Sequence, residues 1–201
     1  MKLRFKLKLV LGGLLLAGLA ACGGGDGSSG ASADSGTLRL AITDAPTCGY
    51  DAVNVTIQKV RVNQSSSASD TDSGWSEVVL SPARRVNLLT LTNGVLDELG
   101  QTPLPTGKYT QLRLVLADND GTHPMANSVV PSGGTETALK TPSGQQSGVK
   151  ANINIDIAAN KMADFVLDFD ACKSVVVAGS SGQYLLKPLV TVIPRYVSCV
   201  T

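Results

Sequence analysis

Four cysteines, one histidine and one tryptophan carry most of the reactive potential of this 201-residue chain. Cys22, Cys48, Cys172 and Cys199 form no Cys-x-x-Cys pair, which argues against a dithiol redox centre and a zinc knuckle. His123 lies in Gly121-Thr122-His123-Pro124, a turn-like stretch without a nucleophile elbow, and is expected to be a surface-loop residue and no general base. Asp168 and Asp170 are two apart and would share one face of a strand. With Asp44 they make a possible carboxylate cluster, a pattern that can bind Ca²⁺ or do acid–base work, although satisfying turn amides or pairing with Lys and Arg is the commoner fate of such residues. Asp118-Asn119-Asp120-Gly121 hints at a calcium loop. Aligning Gly121 with that loop's glycine, however, puts Leu116 at the first ligand position and Asn127 at the last, so a hairpin turn is expected. Trp75 could stack on a sugar, but a lone tryptophan is a poor platform and core packing is the expectation. The sequence therefore offers no catalytic residue, no metal-ligand set and no cofactor site, and the chain reads as a protein that is not an enzyme.

The N-terminus reads as an address. Lys2, Arg4, Lys6 and Lys8 precede an uncharged run rich in Leu, Ala and Gly that ends at Ala21. A basic n-region, a short apolar h-region and small residues before a cut site make a secretory signal. The apolar run falls short of the roughly 20 residues a membrane-spanning helix needs. It closes on Leu19-Ala20-Ala21-Cys22, which resembles the bacterial lipobox. That resemblance implies that residues 1–21 are removed and that Cys22 carries diacylglycerol and palmitate. Gly23–Ser35 follows as GGGDGSSGASADS, a flexible tether whose 13 residues reach roughly 20 Å. Gly23, in place of Asp, favours the outer membrane in the enterobacterial sorting pattern this resembles. Removing the four leading cations from 17 basic residues leaves 13 against 16 acidic ones, a net charge of about −3 that argues against a nucleic-acid partner.

From residue 36 to 201 the chain reads as one domain of short strands. Leu38, Leu40 and Ile42 alternate with Arg39 and Ala41. Val53, Val55 and Ile57 continue the period of two, and Val60 and Val62 shift phase, which predicts a bulge near Gln58–Lys59. Tyr109–Leu116, Ala151–Ile157, Phe165–Phe169, Tyr184–Leu186 and Leu189–Ile193 read the same way. Leu88–Leu91 is a possible short helix, closed by the turn signal Asn93-Gly94. Eight to ten strands with turn punctuation predict an all-β fold: a single β-sandwich, transthyretin-like or immunoglobulin-like, with long loops. Gln64–Gly74 is expected to be a solvated loop or hairpin tip, and Asn119–Gly148 a long irregular loop.

Several motifs recur in a familiar order: Leu40-Ala41-Ile42-Thr43-Asp44-Ala45-Pro46, Val86-Asn87-Leu88-Leu89-Thr90-Leu91, Leu104-Pro105-Thr106-Gly107-Lys108-Tyr109, Leu167-Asp168-Phe169-Asp170-Ala171-Cys172, and Leu185-Leu186-Lys187-Pro188. Over roughly residues 36–195 this order resembles the bacterial lipoprotein family known as domain of unknown function 4382. The resemblance implies an exported β-rich domain and supplies no catalytic residues. Pro105-x-Gly107-x-Tyr109 also resembles the turn that enters a strand in transthyretin-like sandwiches, where Pro fixes φ, Gly permits the turn and Tyr packs at the sheet end.

Export implies an oxidising compartment. Cys48 and Cys172 flank two of these motifs and are the expected disulfide, with Cys48–Cys199 as the rival pairing. The expected whole is a lipid-anchored envelope protein, held to the membrane through Cys22, whose sandwich binds an envelope protein or glycan or plays a structural part. The alternative is a carbohydrate-binding or adhesion module.

Overall fold

The computed structural model describes residues 34–44, 49–142 and 147–195. Cys22, Cys48, Cys199 and the signal segment lie outside them. Twelve strands fill the described chain: β1 (Ser35–Asp44), β2 (Tyr50–Asn63), β3 (Ser76–Asn87), β4 (Asp97–Pro105), β5 (Gly107–Leu116), β6 (Ser128–Pro131), β7 (Thr137–Lys140), β8 (Val149–Ile157), β9 (Met162–Phe169), β10 (Val175–Ala178), β11 (Gln183–Leu186) and β12 (Val190–Pro194). They exceed the expected eight to ten because β6, β7 and β10 have four residues each, too few to show a period of two, whereas the equally short β11 is the strand expected at Tyr184–Leu186.

The strands form an all-β sandwich. One sheet runs β12-β9-β1-β4, with β1 antiparallel to β4 and parallel to β9. The other runs β10-β11-β7-β6-β2-β5-β8, and β3 lies along the remaining side of β2. Strand β2 is the spine of this second sheet. Its first half pairs with β6 and its second half with β5, while β3 follows it on the opposite side.

The alternation read in the sequence is the alternation of burial. Leu38, Leu40 and Ile42 from β1, Val53, Val55 and Ile57 from β2, Leu112, Leu114 and Leu116 from β5, and Leu167 and Phe169 from β9 share one core. On β8, Ala151, Ile155 and Ile157 are buried while Lys150, Asn152 and Asp156 are exposed, the mark of a strand with one dry and one wet face. Leu88–Leu91 forms a 3₁₀ turn capped by the Asn87 side chain. Asn93 and Gly94 both take positive φ, as an Asn-Gly turn requires.

The start of β1 is clasped by two turns. Thr106 N–H donates to Asp34 O at 2.9 Å, Thr37 N–H to Lys161 O at 2.9 Å and Asn160 N–H to Ser35 O at 2.8 Å. A Cβ on Gly36 would stand 2.4 Å from Ala158 O, so the clasp closes only around a glycine. Gly107, at φ +138°, completes the turn into β5. Two residues on, the buried Tyr109 returns its hydroxyl to Pro105 O at 3.2 Å, the packing the Pro-x-Gly-x-Tyr motif predicts.

Gln64–Gly74 is the tip of the β2–β3 hairpin, as expected, and it folds as a cap on the outer face of the second sheet, with Ala68 buried. Its carbonyls collect the sheet's cations. Ala68 O accepts from Arg113 at 2.8 Å and Gln111 at 3.2 Å, Asp70 O from Arg61 at 3.1 Å, and Ser66 O from Lys150 at 2.9 Å. A run of Ser, Asp and Thr hides this role because its main chain, not its side chains, does the binding. Within 119–148, β6 and β7 add to the second sheet, so the described part of that segment is largely ordered by strand pairing and by asparagine side chains.

Candidate binding cleft

The bulge predicted at Gln58–Lys59 borders a cleft in the surface of the described residues. Register on β2 jumps between Ile57 and Lys59 against both β3 and β5. Opposite Gln58, β3 leaves Leu80–Ala83 without ladder partners, since Ile57 faces Arg84 and Lys59 faces Val79. Bulges of this kind re-aim side chains and often border functional sites. Here the two irregularities open a cleft of about 670 Å³, within the range of small-ligand sites. Thr56 and Gln58 form its floor. Pro82, Ala83 and Arg85 form one wall, and Ala117–Asp118, Asp120 and His123–Ala126 the other.

The second wall is a loop built on asparagines. Asn127 is fully buried. Its Oδ1 accepts the N–H of Thr56 at 3.0 Å, and its Nδ2 donates to Ala117 O at 2.7 Å and Asn119 Oδ1 at 3.2 Å. Asn119 Nδ2 donates in turn to Asn127 O at 2.8 Å and Leu139 O at 3.2 Å. The Thr56 hydroxyl donates to Ala126 O at 2.5 Å, and Ala117 N–H to Thr56 O at 2.7 Å. The loop is thus tied to the floor at both ends before any ligand arrives. At its tip, Asp120 Oδ1 accepts the N–H groups of His123 at 2.6 Å and Thr122 at 2.8 Å. These bonds hold the Asp120 carboxyl below its ordinary range, because they favour the charged form. Asp120 thus closes a local turn but not the expected hairpin turn, because β5 and β6 both run antiparallel to β2 and residues 117–127 link two strands of the same direction.

Across the cleft, Arg85 is cross-strand neighbour to Thr56. Its guanidinium donates to Ser128 Oγ at 2.9 Å and pairs with Glu136. The Ser128 hydroxyl and then Arg85 hold Glu136 below its usual pKa, so the cation of this wall is already balanced. Met125 stays 38% exposed, and Pro82, Ala83 and Pro124 are exposed beside the cleft. His123 is exposed, with Nδ1 at 3.6 Å from Asp120 Oδ1, in keeping with a surface-loop residue.

Two of the other candidate residues, Asp44 and Asp170, hold backbone amides. Asp44 Oδ1 accepts the N–H of Ala171 at 2.8 Å. Asp168 stays on β9, level with Thr43. Asp170 does not share its strand face as expected, because β9 ends at Phe169. Asp170 instead caps a helical turn, α1 (Ala171–Ser174), and pairs with Lys173 at 2.7 Å, which keeps its carboxyl below the ordinary range. Among the described residues no group of three or more His, Cys, Asp and Glu could hold a metal ion. Cys172 is half-buried within α1. Trp75 is half-buried in the cap rather than the core. Arg61 and Arg113 lie 4.5 and 5.0 Å from its ring centroid, and its indole N–H donates to Ser69 O at 2.8 Å.

The bulge leaves a signal in the sequence, whereas the cleft leaves none. Asn119 and Asn127, the residues that build its wall, look like ordinary loop asparagines until strand pairing sets them beside Thr56.

A family model for a domain of unknown function, DUF4382, matches residues 35–188, and the chain belongs to that family. No curated protein and no solved structure matches the chain. Among the described residues no helix is long and apolar enough to cross a membrane.

Proposed function

We propose that this DUF4382 domain is the non-catalytic binding module of an exported lipoprotein, held at the bacterial cell envelope, by preference the outer membrane, through lipid on Cys22. The cleft carries the binding half of this reading: a preformed, partly apolar hollow on a rigid sandwich is the usual form of a ligand site. The anchoring half rests on the signal-like residues 1–21, on Cys22 and on the Gly/Ser tether. The clasp at Asp34–Thr37 puts the start of the domain at the Gly107 end of β5, whereas the cleft opens at the Leu116 end, nine residues or about 30 Å along the strand.

The disulfide fits the same picture. Cys48 follows Asp44 by four residues, and Asp44 already binds the N–H of Ala171, the neighbour of Cys172. Four residues span up to about 13 Å. Cys199 follows Arg195 by four residues, and Arg195 N–H binds Asp164 O, five residues up β9 from Phe169 and about 17 Å away. Chain reach therefore favours Cys48–Cys172. The carbohydrate-binding alternative loses support from Trp75, whose ring serves the cap.

The test is fractionation of cells expressing Cys22→Ala. The variant is expected in the soluble fraction, folded and without labelled palmitate. Palmitate on the variant, or unchanged membrane association, refutes the anchor.

A further inference from the structure

We propose that the cleft takes a basic side chain, that is, a lysine- or arginine-bearing segment of a partner peptide. The proposal rests on the reading of the cleft as the module's binding face and adds the class of its ligand.

Three features choose the class. First, the lining holds no Phe, Tyr or Trp, which leaves a sugar ring without a stacking platform. Second, charge disfavours anions. Arg85 is neutralised by Glu136, whereas Asp118 and Asp120 both face the hollow, and Asp118 is exposed. The lining is therefore net negative, and a phosphate or carboxylate would meet repulsion. Third, the walls between these charges are aliphatic: Pro82, Ala83, Pro124 and Met125. A lysine or arginine matches that sequence of surfaces, with an apolar stem for the walls and a charged head for the carboxylate rim. The unbranched thioether of Met125 can adjust to either stem. Gln58 on the floor offers an amide donor and acceptor to the peptide backbone.

The chain carries its own reporters. Its three methionines are Met1, Met125 and Met162. Met125 lines the cleft, and Met162, 52% exposed at the start of β9, lies outside it. The full chain, labelled with ¹³C at the methionine methyls and extracted in a non-ionic detergent, is titrated with acetyl-Ala-Lys-Ala-amide. Parallel titrations use the glutamate and norleucine analogues, and Met125→Leu assigns the signal. A saturable shift at Met125, none at Met162 and weak millimolar affinity are expected, with the norleucine peptide weaker and the glutamate peptide silent. Asp118→Asn should weaken lysine-peptide binding about fivefold, the worth of one close charge pair in water, and added salt should act in the same direction. No movement of Met125 up to about 10 mM lysine peptide, or equal movement of Met125 and Met162, overturns the proposal. An equal response to the glutamate or norleucine peptide overturns the basic class while leaving the cleft a binding site. Anchoring is read separately, by the fractionation of Cys22→Ala.

Discussion

Replacing Asn127 with leucine should unfasten the wall of the cleft and cost the whole domain stability. The leucine is close in size and has no polar atom. It abandons the Thr56 N–H, bound at 3.0 Å, and the Ala117 carbonyl, bound at 2.7 Å, at a site with no solvent exposure at position 127. Each buried group left without a partner costs about 1–3 kcal/mol. Thr56 and Ala117 are half-buried, so water can recover part of that loss, and the net expectation is about 2–4 kcal/mol. That is a large share of the 5–15 kcal/mol by which such domains are usually stable. Urea denaturation of the mature chain, followed by far-ultraviolet circular dichroism, should show a lower midpoint at unchanged slope. The melting temperature should fall by roughly 2–4 °C for each kcal/mol lost. Asn152→Leu is the control, since Asn152 is exposed on β8 and surface changes usually stay within about 0.5 kcal/mol. A loss below about 1 kcal/mol for Asn127→Leu, or equal losses for the two variants, would refute the view that this side chain fastens the loop to the floor strand.

Two further outcomes follow from the same structure. Peptide mapping without reductant should recover a fragment joining Cys48 to Cys172, a bond closing a loop long enough to stabilise by about 4–5 kcal/mol on the chain-entropy estimate. A fragment joining Cys199 to either residue would sink that pairing. Acid should loosen the cleft rim late. Asp120 titrates below its ordinary value, so its turn contributes stability above the unfolded carboxylate pKa of about 4, and that contribution is lost as pH falls through the lower folded value. The side-chain carboxyl carbon resonance of Asp120 should therefore titrate with its midpoint below the ordinary aspartate value. Midpoints at or above the ordinary aspartate value would contradict the two hydrogen bonds assigned to Asp120.

Much of the architecture was legible because burial follows a period of two. The alternation in β1, β8 and β9, the phase shift at Gln58 and the Asn93-Gly94 turn each leave a local signature in residue type. The cap over the second sheet leaves none. Ala68 and the carbonyls of residues 66–70 bind Arg61, Arg113 and Lys150, and a carbonyl is the same whichever residue carries it. Three of the four-residue strands, β6, β7 and β10, were hidden by their length. Asp170 misled through spacing, for the two-residue step from Asp168 shares a face only if the strand continues, and here it ends at Phe169 with Asp170 as a cap. The cleft needed all three kinds of information: a bulge read from the sequence, an excursion in the partner strand, and asparagines whose partners lie up to 71 residues away.

The position of β1 also determines how the domain would carry a load. The strand that continues from the tether is interior to its sheet, with eight register pairs to β4 and eight to β9. On the proposed anchoring through Cys22, a pull between that residue and a ligand seated at the far end would run along β1. It strains both ladders in shear, many bonds at once, where an edge strand would peel one bond at a time. Resistance to such a pull is set by the unfolding barrier rather than by equilibrium stability. An envelope tether that enters an interior strand can therefore hold its grip under tension that would unravel one attached at an edge.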